Sequence, residues 1–172
     1  LGTFRHINSR LQGHPTTHEG LPGIRIASGS LGQGISVAIG TALAKKIDAC
    51  QPKLIALAGF MRILSNRFVQ HYQGRLMNIH PSLLPAFPGL KTHARVLQEG
   101  IRIHGCTVHF VTLQLDHGPI VIQAAIPVLP NETEKSLAAR VLQQEHRIYP
   151  QAVRWFMEDR IKLIGNHAEI ID

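Results

Sequence analysis

Two short apolar runs on either side of a helical stretch constrain this chain more than any other feature. Lys53-Leu54-Ile55-Ala56-Leu57-Ala58 is nearly continuous in apolar residues, the pattern of a strand covered on both faces. Gly59 to Leu64 reads as its exit loop, Ser65 can cap a helix over Asn66 to Tyr72, and Gly74 ends that helix. Arg75-Leu76-Met77-Asn78-Ile79 follows as a second strand, and Pro81 cannot extend it because proline lacks the N–H that a ladder needs. Strand, helix and strand in this order imply a right-handed parallel crossover. The expected fold is therefore an open, mainly parallel α/β sheet with helices packed against it.

The remaining elements follow in the same pattern. Lys91 to Glu99 reads as a helix stopped by Gly100. His104 to Val111 and Pro119 to Val128 read as strands, with Leu115-Asp116-His117-Gly118 as a turn between them. Glu132 to Asp159 is a long helix with an expected kink at Pro150. Within it Ala138, Leu142, Glu145, Tyr149, Ala152 and Phe156 recur at steps of three or four, so they are expected to share an apolar face. Glu145 is the only carboxylate in that stripe: it either meets a hydrogen-bonding partner or a ligand, or stands partly exposed at the stripe's edge. Ile161 to Ile164 and Ala168 to Ile171 read as a terminal pair of short strands joined by Gly165-Asn166.

Asn78 and His80 stand two residues apart on one strand, so their side chains point the same way. They sit at the strand's carboxyl end, the edge of an open α/β sheet where ligands bind. The irregular loop Pro81-Ser82-Leu83-Leu84-Pro85 lies beside them. A capped strand end with an ordinary satisfied histidine has the same local pattern. Asp116, read alone, is a turn former; within a site it could orient an imidazole or relay a proton.

Composition narrows the partners. The chain has 172 residues, 44% apolar and 17% charged, with a net charge of +7 and eleven histidines. That favours anionic small molecules. No basic run exceeds a pair and aromatics are few, so a nucleic-acid groove is poorly signalled. Cys50 and Cys106 lack paired spacing and fit reduced thiols in a cytoplasmic protein. No apolar run is long enough to span a membrane.

Residues 1 to about 46 have a different character. Gly13-His14-Pro15 and Leu21-Pro22-Gly23 are turns, and the glycine-rich stretch Gly29-Ser30-Leu31-Gly32-Gln33-Gly34 leads into a helix candidate from Ile35 to Lys46. Together with Phe4-Arg5 and Asn8-Ser9, these motifs resemble, in order, a segment of the thiamine-diphosphate domain of transketolases. That family's Gly-Asp-Gly metal-binding motif has no counterpart here, and without the ion the diphosphate lacks its main partner. Thiamine-diphosphate catalysis is not expected. The turn Gly32-Gln33-Gly34 could instead receive an anion at a helix N-terminus.

From about residue 47 to 172 the chain resembles the phosphoribosylglycinamide formyltransferase family. The blocks that carry the resemblance are Leu57 to Leu64, Asn78 to Pro85, Pro88-Gly89-Leu90, His104-Gly105 with Val108 to Val111, Asp116-His117-Gly118-Pro119, and Gln144-Glu145-His146 with Tyr149-Pro150. The resemblance implies a Rossmann-like sheet and transfer of a formyl group from 10-formyltetrahydrofolate to glycinamide ribonucleotide. Asn78, His80 and Asp116 would be catalytic. Met61, Arg62, Ile63, Leu64, Val111 and Leu115 would hold the folate, Glu145 and Pro81 would meet the ribonucleotide, and no metal is required. Methionyl-tRNA formyltransferases share the Asn-x-His core but continue with an Arg-Gly pair where this chain has Phe87-Pro88-Gly89-Leu90. The family's N-terminal strands and phosphate-gripping glycine loop have no counterpart before Ile47. A joined chain of two origins is expected, with domains over 1–46 and 47–172 and a sheet edge that a second copy or a partner chain would cover. A catalytically silent chimera that keeps only folate binding or a scaffold role is the alternative.

Overall fold

The computed structural model describes residues 43–60 and 62–171. It divides into two units, Leu1–Gln51 and Pro52–Asp172. In the first, residues 43–49 are helical. The Gly-His-Pro turn and the glycine-rich turn at Gly32-Gln33-Gly34 lie outside the described residues, as does Met61.

The second unit begins with β1 (Ile55–Leu57), α1 (Asn66–His71) and β2 (Leu76–His80). β1 and β2 pair in parallel, with Ile55 opposite Leu76 and Leu57 opposite Asn78. Ser65 caps α1 as its residue type suggests, its Oγ accepting the Phe68 N–H at 3.3 Å. Next come α2 (Thr92–Gln98), β3 (Ile103–Phe110) and β4 (Ile120–Pro127). Both further pairings, β2 with β3 and β3 with β4, are antiparallel, and the sheet order is β1-β2-β3-β4. The sheet of the described residues is thus mixed, with its parallel crossover at the β1 side. The turn at Leu115–Gly118 returns the chain beside β3 without a helix between the strands, which makes β3 and β4 an antiparallel pair. Among the described residues β1 has a neighbour strand on one side only, and its Ala56 is exposed. The expectation of a strand covered on both faces does not hold for it.

The long helix α3 (Glu134–Met157) starts with a reciprocal cap: Thr133 Oγ1 accepts the Ser136 N–H and Ser136 Oγ accepts the Thr133 N–H. Pro150 lies inside this helix, which continues to Met157. Its buried residues are Leu137, Val141, Ile148 and Ala152. They pack with Met77, Val108 and Phe110 of the sheet in one core. The buried face meets the expected stripe at Ala152, with Tyr149 and Phe156 packed against the core, but in the first half of the helix it runs through Leu137 and Val141 in place of Ala138 and Leu142, and Leu142 is exposed. Tyr149 borders the core, and its hydroxyl lies 2.9 Å from the Leu57 carbonyl and 3.1 Å from that of Met77. One phenol thereby ties α3 to both parallel strands just before Asn78, and burial pushes its pKa up to about 12. The hairpin β5 (Ile161–Ile164) and β6 (His167–Ile170) closes the unit.

α2 is joined to the sheet by an imidazole pair. His93 Nδ1 and His104 Nε2 are 3.0 Å apart, and His104 is only 1% exposed. One ring donates and the other accepts, and the lone pair this needs is lost when the accepting ring takes a proton. Burial first, then the neighbouring His93 and His80, lowers the His104 pKa to about 4. Its folded value lies below its unfolded one, so the contribution is complete above pH ~6.5 and is lost as pH falls toward 4. The expected loss is about 2–3 kcal/mol between those limits. Chemical denaturation at pH 7 and pH 4.5 checks this, with His104→Gln expected to flatten the difference.

Candidate functional site

β2 presents Met77 to the core and, by alternation, Asn78 and His80 to the opposite face. β3 crosses beside it with Asn78 opposite His109 and His80 opposite Thr107. The turn after β3 brings Asp116 back over this row, its backbone in the left-handed region at φ 53°. Three residues remote in sequence meet there. His80 Nδ1 lies 3.6 Å from Asp116 Oδ2, and His109 Nε2 lies 4.0 Å from Asp116 Oδ1. The carboxylate also accepts the Gly89 N–H at 2.8 Å. Asp116 and His80 are both largely shielded, with side chains 9% and 7% exposed. Their attraction is stronger there than at a surface.

His109 was not singled out from the sequence, yet it determines how Asn78 is oriented. Its Nδ1 faces the Phe110 carbonyl at 2.9 Å and must donate to it, since a carbonyl only accepts. Burial lowers the His109 pKa, outweighing the raising effects of the Phe110 carbonyl and Asp116. The neutral ring then has a lone pair on Nε2, which lies 3.4 Å from Asn78 Nδ2. Asn78 therefore turns its NH₂ toward the ring, leaving its second N–H free to donate elsewhere. The signal in the sequence was present but weak: His109 lies two residues from Thr107 on the face that carries Asn78 and His80.

A cleft opens in front of this cluster. Arg62, Ile63, Leu64, Val111 and Leu115 line it with Asn78, His109 and Asp116. Five of the six residues expected to hold a folate thus border one space with two members of the expected catalytic trio. Leu113 and Phe60 add to its walls, and Ile63 is 86% exposed. Apolar side chains left in water around a few polar groups suit a flat, largely apolar ligand with polar edges. His80 is not part of the cleft's lining. Its Nε2 donates to the Phe87 carbonyl at 3.0 Å. Glu145 and Pro81 stand outside the cleft as well. Glu145 is half-buried on α3, and burial raises its pKa.

Other chemistries find less support. Cys106 is buried, which pushes its thiol up to about 12, so it has no thiolate to offer as a nucleophile. Among the described residues no group of three histidine, cysteine or acidic side chains is arranged to hold a metal ion. No helix of the described residues is long and apolar enough to cross a membrane.

The family model described as formyl transferase matches residues 35–153, and the one described as transketolase, thiamine diphosphate binding domain, matches residues 1–68. The phosphoribosylglycinamide formyltransferase of Escherichia coli is 52% identical over 126 residues, covering 73% of this chain and 59% of that protein. The Haemophilus influenzae protein of the same name is 46% identical, covering 67% of this chain and 54% of its own length. The crystal structure of glycinamide ribonucleotide transformylase 1 from Symbiobacterium toebii superposes with a TM-score of 0.77 at 46% identity, over 79% of this chain and 64% of that one. The chain spans little more than half the length of these curated relatives. Its sheet, its Asn78–His80–Asp116 cluster and a matched segment longer than half its length agree: the chain belongs to the formyl transferase family.

Proposed function

We propose that the chain transfers a formyl group from 10-formyltetrahydrofolate to the primary amine of glycinamide ribonucleotide. The convergence of Asn78, His80 and Asp116 beside a cleft walled by Arg62, Ile63, Leu64, Val111 and Leu115 carries this reading. The amine nitrogen forms a bond to the formyl carbon, and the former carbonyl oxygen gains negative charge. The free N–H of Asn78 donates to that oxygen. Protonated His80, held beside Asp116, adds positive charge near it. Asp116 accepts the proton that leaves the amine, directly or through water, and the bond from the formyl carbon to the folate nitrogen breaks as that nitrogen is protonated. The folate lies along the apolar walls, and Glu145 and Pro81 face the ribonucleotide. No step calls for a metal or for thiamine diphosphate. In the same reading the reaction belongs to purine synthesis in the cytoplasm, and a second copy or partner chain covers the outer edge of β1.

The test is direct. The chain is mixed with both substrates and the formylated ribonucleotide is measured, beside His80→Ala. Wild type is expected to exceed the mutant by about 100-fold or more. Equal rates at the level of background would leave the silent reading, with folate binding alone.

A further inference from the structure

A second cavity, of about 330 Å³, borders the turn that carries Asp116. Its walls come from three segments remote in sequence: Leu84 and Pro85 after β2, Asp116 to Gly118 before β4, and the tip of the β5–β6 hairpin from Asn166 to Ala168. Asp116 is the one described residue that borders both this cavity and the cleft in front of Asn78. Neither the hairpin nor His117 borders that cleft. The hairpin is braced rather than a loose end. Ile161 and Ala168 pack against the core, and β6 lies against β4. At its base the Ile171 N–H donates to the Arg160 carbonyl at 2.9 Å, and Arg160 Nε donates to the Ile171 carbonyl at 3.0 Å. Asn166 and His167 are thereby held in place beside the turn.

The lining divides into an apolar floor and a polar rim. Leu84, Ile120 and Ala168 form the floor and are buried or partly buried. His117, Asn166 and His167 are exposed, and their side chains make no hydrogen bond or ion pair with another described residue. Asp116 is the only acidic residue lining the cavity, and its carboxylate is engaged elsewhere, accepting the Gly89 N–H at 2.8 Å and lying 3.6 Å from His80 Nδ1. Two imidazoles and one amide are left to a ligand, and each can donate. A phosphate monoester carries three acceptor oxygens at one end, one for each donor. Its carbon body can rest on the floor, and a cavity at the small end of the range for ligand sites requires that body to be compact. The net charge of +7 draws in an anion from a distance. We propose that this cavity is a second small-molecule site, for a compact phosphate monoester held by His117, Asn166 and His167, and that its occupant is felt by Asp116 through the turn they share. The site does not depend on formyl transfer, since Asp116 enters it only as a wall.

Phenyl phosphate is the probe, titrated into the whole chain while ¹H–¹⁵N correlation spectra are recorded. Saturable shifts are expected in the imidazole signals of His117 and His167 and in the side-chain amide of Asn166. A smaller shift is expected in the Gly89 amide, whose hydrogen Asp116 accepts. Phenol and inorganic phosphate supply the body and the head alone, and each should bind at least about 10-fold more weakly. His117→Ala and His167→Ala, at exposed positions, are expected to fold normally. Each should weaken phenyl phosphate about 10-fold or more, the worth of one hydrogen bond to a charged group, and the double variant should show no saturable shift. Unchanged affinity in the double variant would overturn the proposal, as would inorganic phosphate binding as tightly as phenyl phosphate, or wild-type chain without saturable shifts. Rim signals that shift while the Gly89 amide stays fixed would overturn the link to Asp116.

Discussion

Asp116→Asn is expected to lower the rate of formyl transfer by about 10²- to 10⁴-fold, the range of a lost general base. The substitution is chosen because it leaves almost everything else in place. Asparagine has the same shape and tolerates the left-handed backbone that Asp116 adopts at φ 53°. Its side-chain oxygen can still accept the Gly89 N–H that the carboxylate accepts now. What disappears is the negative charge beside His80 Nδ1, and with it the acceptor for the amine proton. A protonated His80 would then lose its nearby counter-ion. The apolar walls that would hold the folate are untouched, so its KM should change by less than about threefold, the sign of an interaction made mainly in the transition state. Initial rates over a range of folate concentrations, with thermal melts of both proteins, check these points. A mutant that keeps more than about a tenth of the wild-type kcat would remove Asp116 from proton transfer.

How much of this site was legible in the sequence depends on distance along the chain. Asn78 and His80 share a short strand, so alternation alone puts them on one face, and Pro81 marks where that strand must stop. Asp116 read as a turn residue, and it is one; only the resemblance to a family marked it as chemical. No local rule reports that β3 runs antiparallel to β2 with His109 opposite Asn78, because strand pairing is decided by packing and not by neighbours in sequence. On α3 the expected stripe meets the core in the second half of the helix, through Tyr149, Ala152 and Phe156, but its phase is off in the first half. Leu142 fits the spacing, yet Leu137 and Val141 meet the sheet there, and Glu145 is left half-buried at the border of that face. The exposed centre of β1 went unseen because an apolar run describes a strand's own residues and not its neighbours.

Gly118→Ala is expected to damage both stability and the site, for one geometric reason. A Cβ at position 118 would stand 1.8 Å from the Phe110 carbonyl oxygen and 2.8 Å from its carbon. Backbone cannot yield as a side-chain tip can, so β3 and the start of β4 would have to separate. The Phe110 N–H to Pro119 carbonyl bond at 2.9 Å lies within that contact. Forcing extra volume into such a place costs about 1–3 kcal/mol, which for a chain of this size corresponds to a fall in Tm of roughly 2–12 °C. The displaced oxygen is also the acceptor for His109 Nδ1–H. Without it the ring loses the bond that commits Nε2 to Asn78, and the turn that carries Asp116 two residues earlier shifts with Gly118. The folded fraction of the mutant should therefore transfer formyl groups at least about 10-fold more slowly than wild type, as a misplacement near 1 Å would produce. Melting curves combined with rates measured well below the lowered Tm separate the two effects. A mutant with wild-type kcat at low temperature would show that the close approach of Gly118 to Phe110 serves the fold alone.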